Sequence, residues 1–284
     1  MTRPTQHSSA ALTGVSETAL MTLNGRAQQA AMPDAIIDDP KAIELRDAFT
    51  TAYGVDYDKF GRRGQEMALR SLAVDGCTID YLRTHPKATV VALAEGFQTS
   101  FWRLDKAVPN AQFRWVSVDL PPVIELREKL LPPSPRITNL GQSALDYSWM
   151  DRVLENDGAK DGVFITAEGL LMYLQPDESM DLIRQCAKRF PGGRMFFDLP
   201  PTILKKVAPN GIRASKHYRV PPMPFSLSIN QLRELVGTVP GLKAVHDVPM
   251  PQGRGFMFKT VFPAFWAFGP MKPFRGVYAL LEFV

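Results

Sequence analysis

Gly96 and Asp119 are the residues whose types and spacing most readily do chemistry. The glycine closes the turn Ala94-Glu95-Gly96, just after the apolar run Val90-Val91-Ala92-Leu93, and the acid ends a second apolar run 23 residues later. A glycine turn lets backbone approach a ligand, and an acid at the end of the next strand can accept both hydroxyl protons of a ribose. The expected chemistry is the holding of a nucleoside. A doubly wound domain with no ligand would show the same pattern.

Other groups could act on a second molecule. Of the four histidines, His7 falls near the N-terminus, His85 precedes a proline, and His246 falls in a late apolar run. Only His217 lies in the irregular, proline-rich segment that should face an acceptor, and it is the candidate acid or base. That segment also carries Arg213, Lys216 and Arg219 without a compensating acid. It reads as a cationic lid attracting an anionic acceptor, or as a loop kept soluble by its charges. Phe262, Phe265, Trp266, Phe268, Phe274 and Tyr278 would either wall an apolar acceptor pocket or pack as ordinary core.

The elements that must position these groups alternate. Apolar runs at Thr89–Leu93, Phe113–Val118, Arg136–Asn139, Val163–Ala167 and Arg194–Leu199 predict strands. Helical spacing appears at Thr99–Lys106, Pro122–Leu131, Asp177–Phe190 and Ile229–Val236. Three helices come first, over Ser16–Gln29, Asp38–Phe49 and Gln65–Leu82. Two late strands are expected at Leu242–Val248 and Gly255–Val261. The fold class is therefore α/β, a Rossmann-like parallel sheet with a late antiparallel strand pair and an N-terminal helical cap. The order of elements suits a class I methyltransferase. The first turn has one glycine where a dinucleotide site has three, so a pyrophosphate would lack its close approach. A sulfonium methyl donor carries no phosphate and can accept that turn.

Composition narrows the alternatives. The 284 residues carry a net charge of +4, which permits an anionic partner without pointing to nucleic acid. Two cysteines make neither a disulfide framework nor a metal cluster, and a reduced cytoplasmic setting fits them. No apolar run is long enough to span a membrane.

Three blocks in register also resemble one family. FQTSFWRL at Phe97–Leu104, VSETALMTLNGRAQQA with IIDDPKA upstream, and AEGLLMYLQPDE at Ala167–Glu178 are similar to the leucine carboxyl methyltransferases and their bacterial polyketide O-methyltransferase relatives. The likeness covers roughly residues 15–200. It implies S-adenosylmethionine as cofactor. By position it implies Arg70 on the methionine carboxylate, Gly96 in the turn, Asp119 on the ribose, and Glu168 near the sulfonium and amino group. Tyr173 would line the substrate side or pack as core. The chain departs from the family where Ala94 replaces a turn glycine, Gln98 an aspartate, and Ser143-Ala144 the aspartate-leucine pair beside the adenine. Asp146 lies close enough in sequence to substitute there.

The expectation is an S-adenosylmethionine-dependent O-methyltransferase. Its acceptor would be a carboxylate or hydroxyl of a small polyketide- or fatty-acid-like molecule, anionic and partly apolar. The alternatives are a protein C-terminal carboxyl methyltransferase and a non-catalytic binding protein that kept the fold. A nucleobase N-methyltransferase is disfavoured, because AEGLLMYL stands where an acid- or Asn-led Pro-Pro-aromatic motif would follow the fourth strand. Residues 1–14 are expected as a disordered lead and 15–284 as one domain. Its parts would be a cap (15–86), a cofactor core (87–199), a lid (200–227) and a C-terminal part (228–284).

Overall fold

The computed structural model describes residues 12, 14–61, 64–269 and 275–284. Nearly all of the expected lead, with His7, lies outside them, and so does Phe274. Helices α1 (Thr18–Ala30), α2 (Pro40–Tyr53) and α3 (Glu66–Thr84) come first. The core follows as β1 (Thr89–Leu93), α4 (Ser100–Ala107), β2 (Arg114–Asp119), α5 (Pro121–Leu130), β3 (Ile137–Gly141), α6 (Ser148–Leu154), β4 (Val163–Ala167), α7 (Pro176–Arg189) and β5 (Arg194–Leu199). The rest comprises α8 (Leu204–Val207), β6 (Ile212–Arg213), β7 (Arg219–Val220), α9 (Ile229–Thr238), β8 (Leu242–Asp247), α10 (Phe262–Ala267) and β9 (Val277–Phe283).

Local chemistry sets the element ends. Asp39 accepts the Ala42 N–H at 3.1 Å, and Pro40 opens α2 where its missing N–H costs nothing. Glu178 reaches back to the Gln175 N–H at 2.9 Å ahead of α7, and Ser228 caps α9.

Seven strands form one sheet in the order β3-β2-β1-β4-β5-β9-β8. Strands β1 to β5 are mutually parallel, and β9 runs antiparallel to both of its neighbours. The strand order reverses between β1 and β4. In open α/β sheets a crevice at the carboxyl ends opens at that point. Side chains alternate across the sheet. Val91, Leu93, Ile165 and Phe197 pack with Trp149, Ile183 and Leu232 on one face. Val90, Ala92, Phe164 and Phe196 pack with Val74, Tyr81, Phe101 and Leu104 on the other. A third core joins α1 and α2 to Phe97, Val123, Leu126, Tyr218 and Val220, so the β6–β7 hairpin is pinned to the helical cap.

Two expectations fail here. Gly255–Val261 is not a strand; it is helical, with a π-turn over Met257–Val261 that runs into α10. Phe258, Phe262 and Phe265 are spaced four and three apart, a helical period rather than an alternating one. The partner of β8 comes instead from the tail, where Val277–Phe283 largely alternates buried and part-buried at its C-terminal end. No described helix is long and apolar enough to cross a membrane.

Candidate active site

At the β1/β4 crevice the turn after β1 is held in an unusual backbone. Ala94 and Gly96 both have left-handed φ, 48° and 57°. Glycine takes this conformation freely, but an alanine pays about 1 kcal/mol for it. A Cβ at Gly96 would stand 2.8 Å from that of Ala19, so α1 lies directly on the turn. The turn's carbonyls are bound from outside: Arg26 of α1 donates to Phe97 O at 2.7 Å, and Arg127 of α5 donates to Gly96 O at 2.7 Å and Gln98 O at 3.0 Å. Arg127 also pairs with Glu95 at 2.8 Å. Arg26 is wholly buried, and burial lowers its pKa to about 10 despite Asp39 at 3.5 Å.

Asp119 ends β2 and is 7% exposed. Its carboxylate accepts the Gly96 N–H at 2.6 Å and the Leu120 N–H at 2.7 Å. Burial raises its pKa, and those two N–H donors oppose the rise only in part. It locks the turn to the next strand and does not cap α5.

A second polar cluster spans α3, the turn, β4 and β5. Three donors converge on Oε1 of Glu168: Arg70 Nε at 2.8 Å, Gln98 Nε2 at 2.8 Å and Ser71 Oγ at 3.2 Å. No described residue donates to its Oε2. Gln98 Nε2 is also 3.0 Å from Ser71 Oγ, and the buried Gln98 Oε1 has no partner among the described residues. The amide orientation follows from charge, since its oxygen would repel the carboxylate. Arg70 reaches Asp198 at 3.4 Å, and Asp198 accepts the Gly169 N–H at 2.6 Å. The guanidinium packs 3.1 Å from where a Cβ would sit on Gly169, whose φ is 68°. Burial alone would lower the Arg70 pKa, but Asp198 and Glu168 outweigh it and raise it.

Behind this cluster Asp39, Arg103 and Asp75 form a buried ladder. Arg103 meets Asp39 at 2.7 Å and Asp75 at 2.6 Å, and Thr99 donates to Asp39 at 2.7 Å. Burial would raise the Asp39 pKa, but Arg103, Arg26 and Thr99 hold it below the usual carboxylate value.

A cavity of about 820 Å³ joins these groups. Arg70, Ala94, Gly96, Asp119, Ser143, Ala144, Glu168 and Tyr173 all line it. His217, Arg213, Lys216 and Arg219 do not. The lid segment does reach the cavity, but through Pro200, Pro201, Leu204, Ile212, Val220 and Met223. The hairpin explains the difference. Tyr218 and Val220 are buried against the cap, with the Tyr218 ring 4.7 Å from Phe60, which turns Arg219 and His217 outward. Arg213 and Arg219 donate to hairpin carbonyls, of Ser215 and Gly211. Asp146 is exposed and accepts the Ser148 N–H at 3.2 Å instead of lining the cavity. Of the aromatic tail, Phe262, Phe265 and Tyr278 line the wall with Phe258, while Phe268 is 59% exposed. Sequence reasoning missed Arg26, Ser71, Arg127, Asp198 and the bonding of Gln98. An arginine amid the apolar positions of α5 and an acid closing an apolar strand were the available signals.

Known proteins are similar to this chain in sequence and in fold. The leucine carboxyl methyltransferase family profile fits residues 19–187. The tetracenomycin polyketide synthesis O-methyltransferase TcmP of Streptomyces glaucescens is 32% identical over 240 residues, covering 82% of each chain. The S-adenosyl-L-methionine-dependent methyltransferase dpfgK of Gibberella zeae is 28% identical over 253 residues, covering 82% of this chain and 81% of that protein. A Thermobifida fusca protein solved as a candidate methyltransferase superposes with a TM-score of 0.54 at 14% identity, over 95% of this chain and 94% of that one, a likeness of fold. The chain therefore belongs to the leucine carboxyl methyltransferase family of S-adenosylmethionine-dependent methyltransferases.

Proposed function

We propose that this enzyme methylates an oxygen of a small, largely apolar organic acid, a carboxylate in preference to a hydroxyl. One observation carries the reading: the same cavity joins the polar strand ends to a wall of Met223, Met250, Phe258, Phe262 and Phe265. The relative acting in polyketide synthesis supports an acceptor of that kind.

The residues present suit the donor. Asp119 retains lone pairs for ribose hydroxyls beyond the two N–H bonds it accepts. Glu168 Oε2 offers an acceptor for an ammonium, and Arg70 Nη2 offers a donor for a carboxylate. Ser143, Ala144 and Leu120 would flank the base. Bound there, S-adenosylmethionine supplies a methyl already activated by the positive sulfur. The protein's task is then alignment and exclusion of water, which can contribute about 7–11 kcal/mol. A carboxylate acceptor is ionised at neutral pH and asks for no base. Tyr173 takes a place on the acceptor side, while His217 and the hairpin cations have no part in the step. In this reading residues 15–284 work as one unit, with 87–199 holding the donor and the cap and lid closing over it.

Incubation with methyl-labelled donor and a panel of aromatic and long-chain acids tests the reading. Alkali-labile label in an apolar acid is the expected product, because methyl esters hydrolyse and methyl ethers do not. Transfer only to a protein C-terminus, or to none of the panel, overturns it.

A further inference from the structure

The outer side of the cavity wall carries a feature the reaction does not use. The helical run 255–267 turns Phe258, Phe262 and Phe265 into the cavity. Its other side presents Phe256, 73% exposed, and Met257, 50% exposed, with Phe268 just beyond it at 59%. Helix α8 repeats the arrangement, with Leu204 lining the cavity while the flanking Ile203 and terminal Val207 are 39% and 66% exposed. Single exposed apolar residues are ordinary, but five large ones on two elements that line the same cavity are not.

The charged residues of the same segments share one sign, although Arg254 just before Phe256 is paired with the exposed Asp34. Lys205, Lys206 and Lys259 are exposed, and no acid occurs anywhere in residues 199–233 or 248–281. Projecting Phe and Met beside lysines, in segments that hold no carboxylate of their own, is the make-up of a face that enters the headgroup layer of an anionic membrane. Lysine is depleted from protein interfaces, whereas its long stem suits a lipid boundary.

We propose that the face built by residues 203–207 and 256–268 docks on an anionic lipid surface and sets the apolar cavity wall against the lipid. The proposal rests on reading that wall as the acceptor pocket, which gives a lipid-dissolved acid a short route to the site.

The test is co-sedimentation of the full chain with vesicles of phosphatidylcholine alone or mixed with phosphatidylglycerol. Binding to the anionic vesicles only is expected. The triple variant Phe256→Ser, Met257→Ser, Phe268→Ser should lower the bound fraction roughly tenfold or more. A second variant, Lys205→Gln, Lys206→Gln, Lys259→Gln, should lose the preference for anionic lipid. Both should keep the wild-type affinity for S-adenosylhomocysteine, which checks folding. Wild-type protein left in the supernatant with both vesicles overturns the proposal. So does unchanged sedimentation of the triple variant, or a self-association abolished by the same three changes, which would make the face a contact between copies. Turnover on soluble acids is measured separately, so failure of docking and failure of the proposed reaction are told apart.

Discussion

Replacing Asp119 by Asn probes the hinge between turn and nucleoside. The carboxylate accepts two backbone N–H groups, from Gly96 at 2.6 Å and Leu120 at 2.7 Å. An amide offers one oxygen, so its NH2 must face the second N–H, and one bond becomes a donor–donor contact. A hydrogen bond to a charged group contributes about 1.5–3 kcal/mol, so the folded protein should lose about 2 kcal/mol. A ribose would lose a charge-assisted acceptor of similar strength, which weakens binding about 10- to 150-fold. Calorimetric titration with S-adenosylhomocysteine and thermal unfolding read the two effects. The pH dependence sharpens the test. Burial raises the Asp119 pKa, so the folded state holds this proton more tightly than the unfolded one. The wild type should therefore lose stability relative to Asp119→Asn as pH climbs from the ordinary carboxylate value through the raised one. Ligand affinity should run the other way, falling as acid protonates Asp119, and the Asn variant should be flat in that window. An Asn variant that binds within twofold of wild type, or keeps the same pH profile, refutes the reasoning.

Other substitutions separate the parts. Gly96→Ala combines a left-handed φ of 57° with a Cβ 2.8 Å from Ala19, and should lower Tm and donor affinity together, by about 1–2 kcal/mol in strain before any shift of α1. Asp39→Asn removes one member of a buried ion ladder and should cost about 3–5 kcal/mol at neutral pH. Its lowered pKa means this stability is present above the ordinary aspartate value and lost as pH falls through the folded value, so urea midpoints of wild type and variant should converge in acid. Phe258→Ala with Phe262→Ala, whose rings lie 4.8 Å apart in the cavity wall, should raise the acceptor KM at least tenfold and leave S-adenosylhomocysteine affinity unchanged.

What was legible in the sequence followed from periodicity. Buried parallel strands read as continuous apolar runs, so β1, β4 and β5 stand where Thr89–Leu93, Val163–Ala167 and Arg194–Leu199 predict them. The strand–turn–acid spacing and the family blocks point to residues that do line one cavity. The cations of the expected lid lie outside the cavity, because net charge does not say which way a short hairpin faces; the burial of Tyr218 and Val220 decides that. The last strand was misplaced because Gly255–Val261 carries a Phe-Met-Phe run apolar enough for a short strand, and the spacing of Phe258, Phe262 and Phe265 is what marks it as helix. Arg26, Arg127 and Asp198 escaped notice because their partners are 71, 31 and 128 residues away in sequence, at Phe97, Gly96 and Arg70.

The central claim is that the carboxyl edge of β1, β2 and β4 grips an adenosyl donor. A crystal structure of the protein with S-adenosylhomocysteine tests it most directly. The account predicts ribose hydroxyls on Asp119, the amino group on Glu168, and the carboxylate on Arg70. Ligand bound elsewhere, or a crevice that stays empty at saturating ligand, would contradict it.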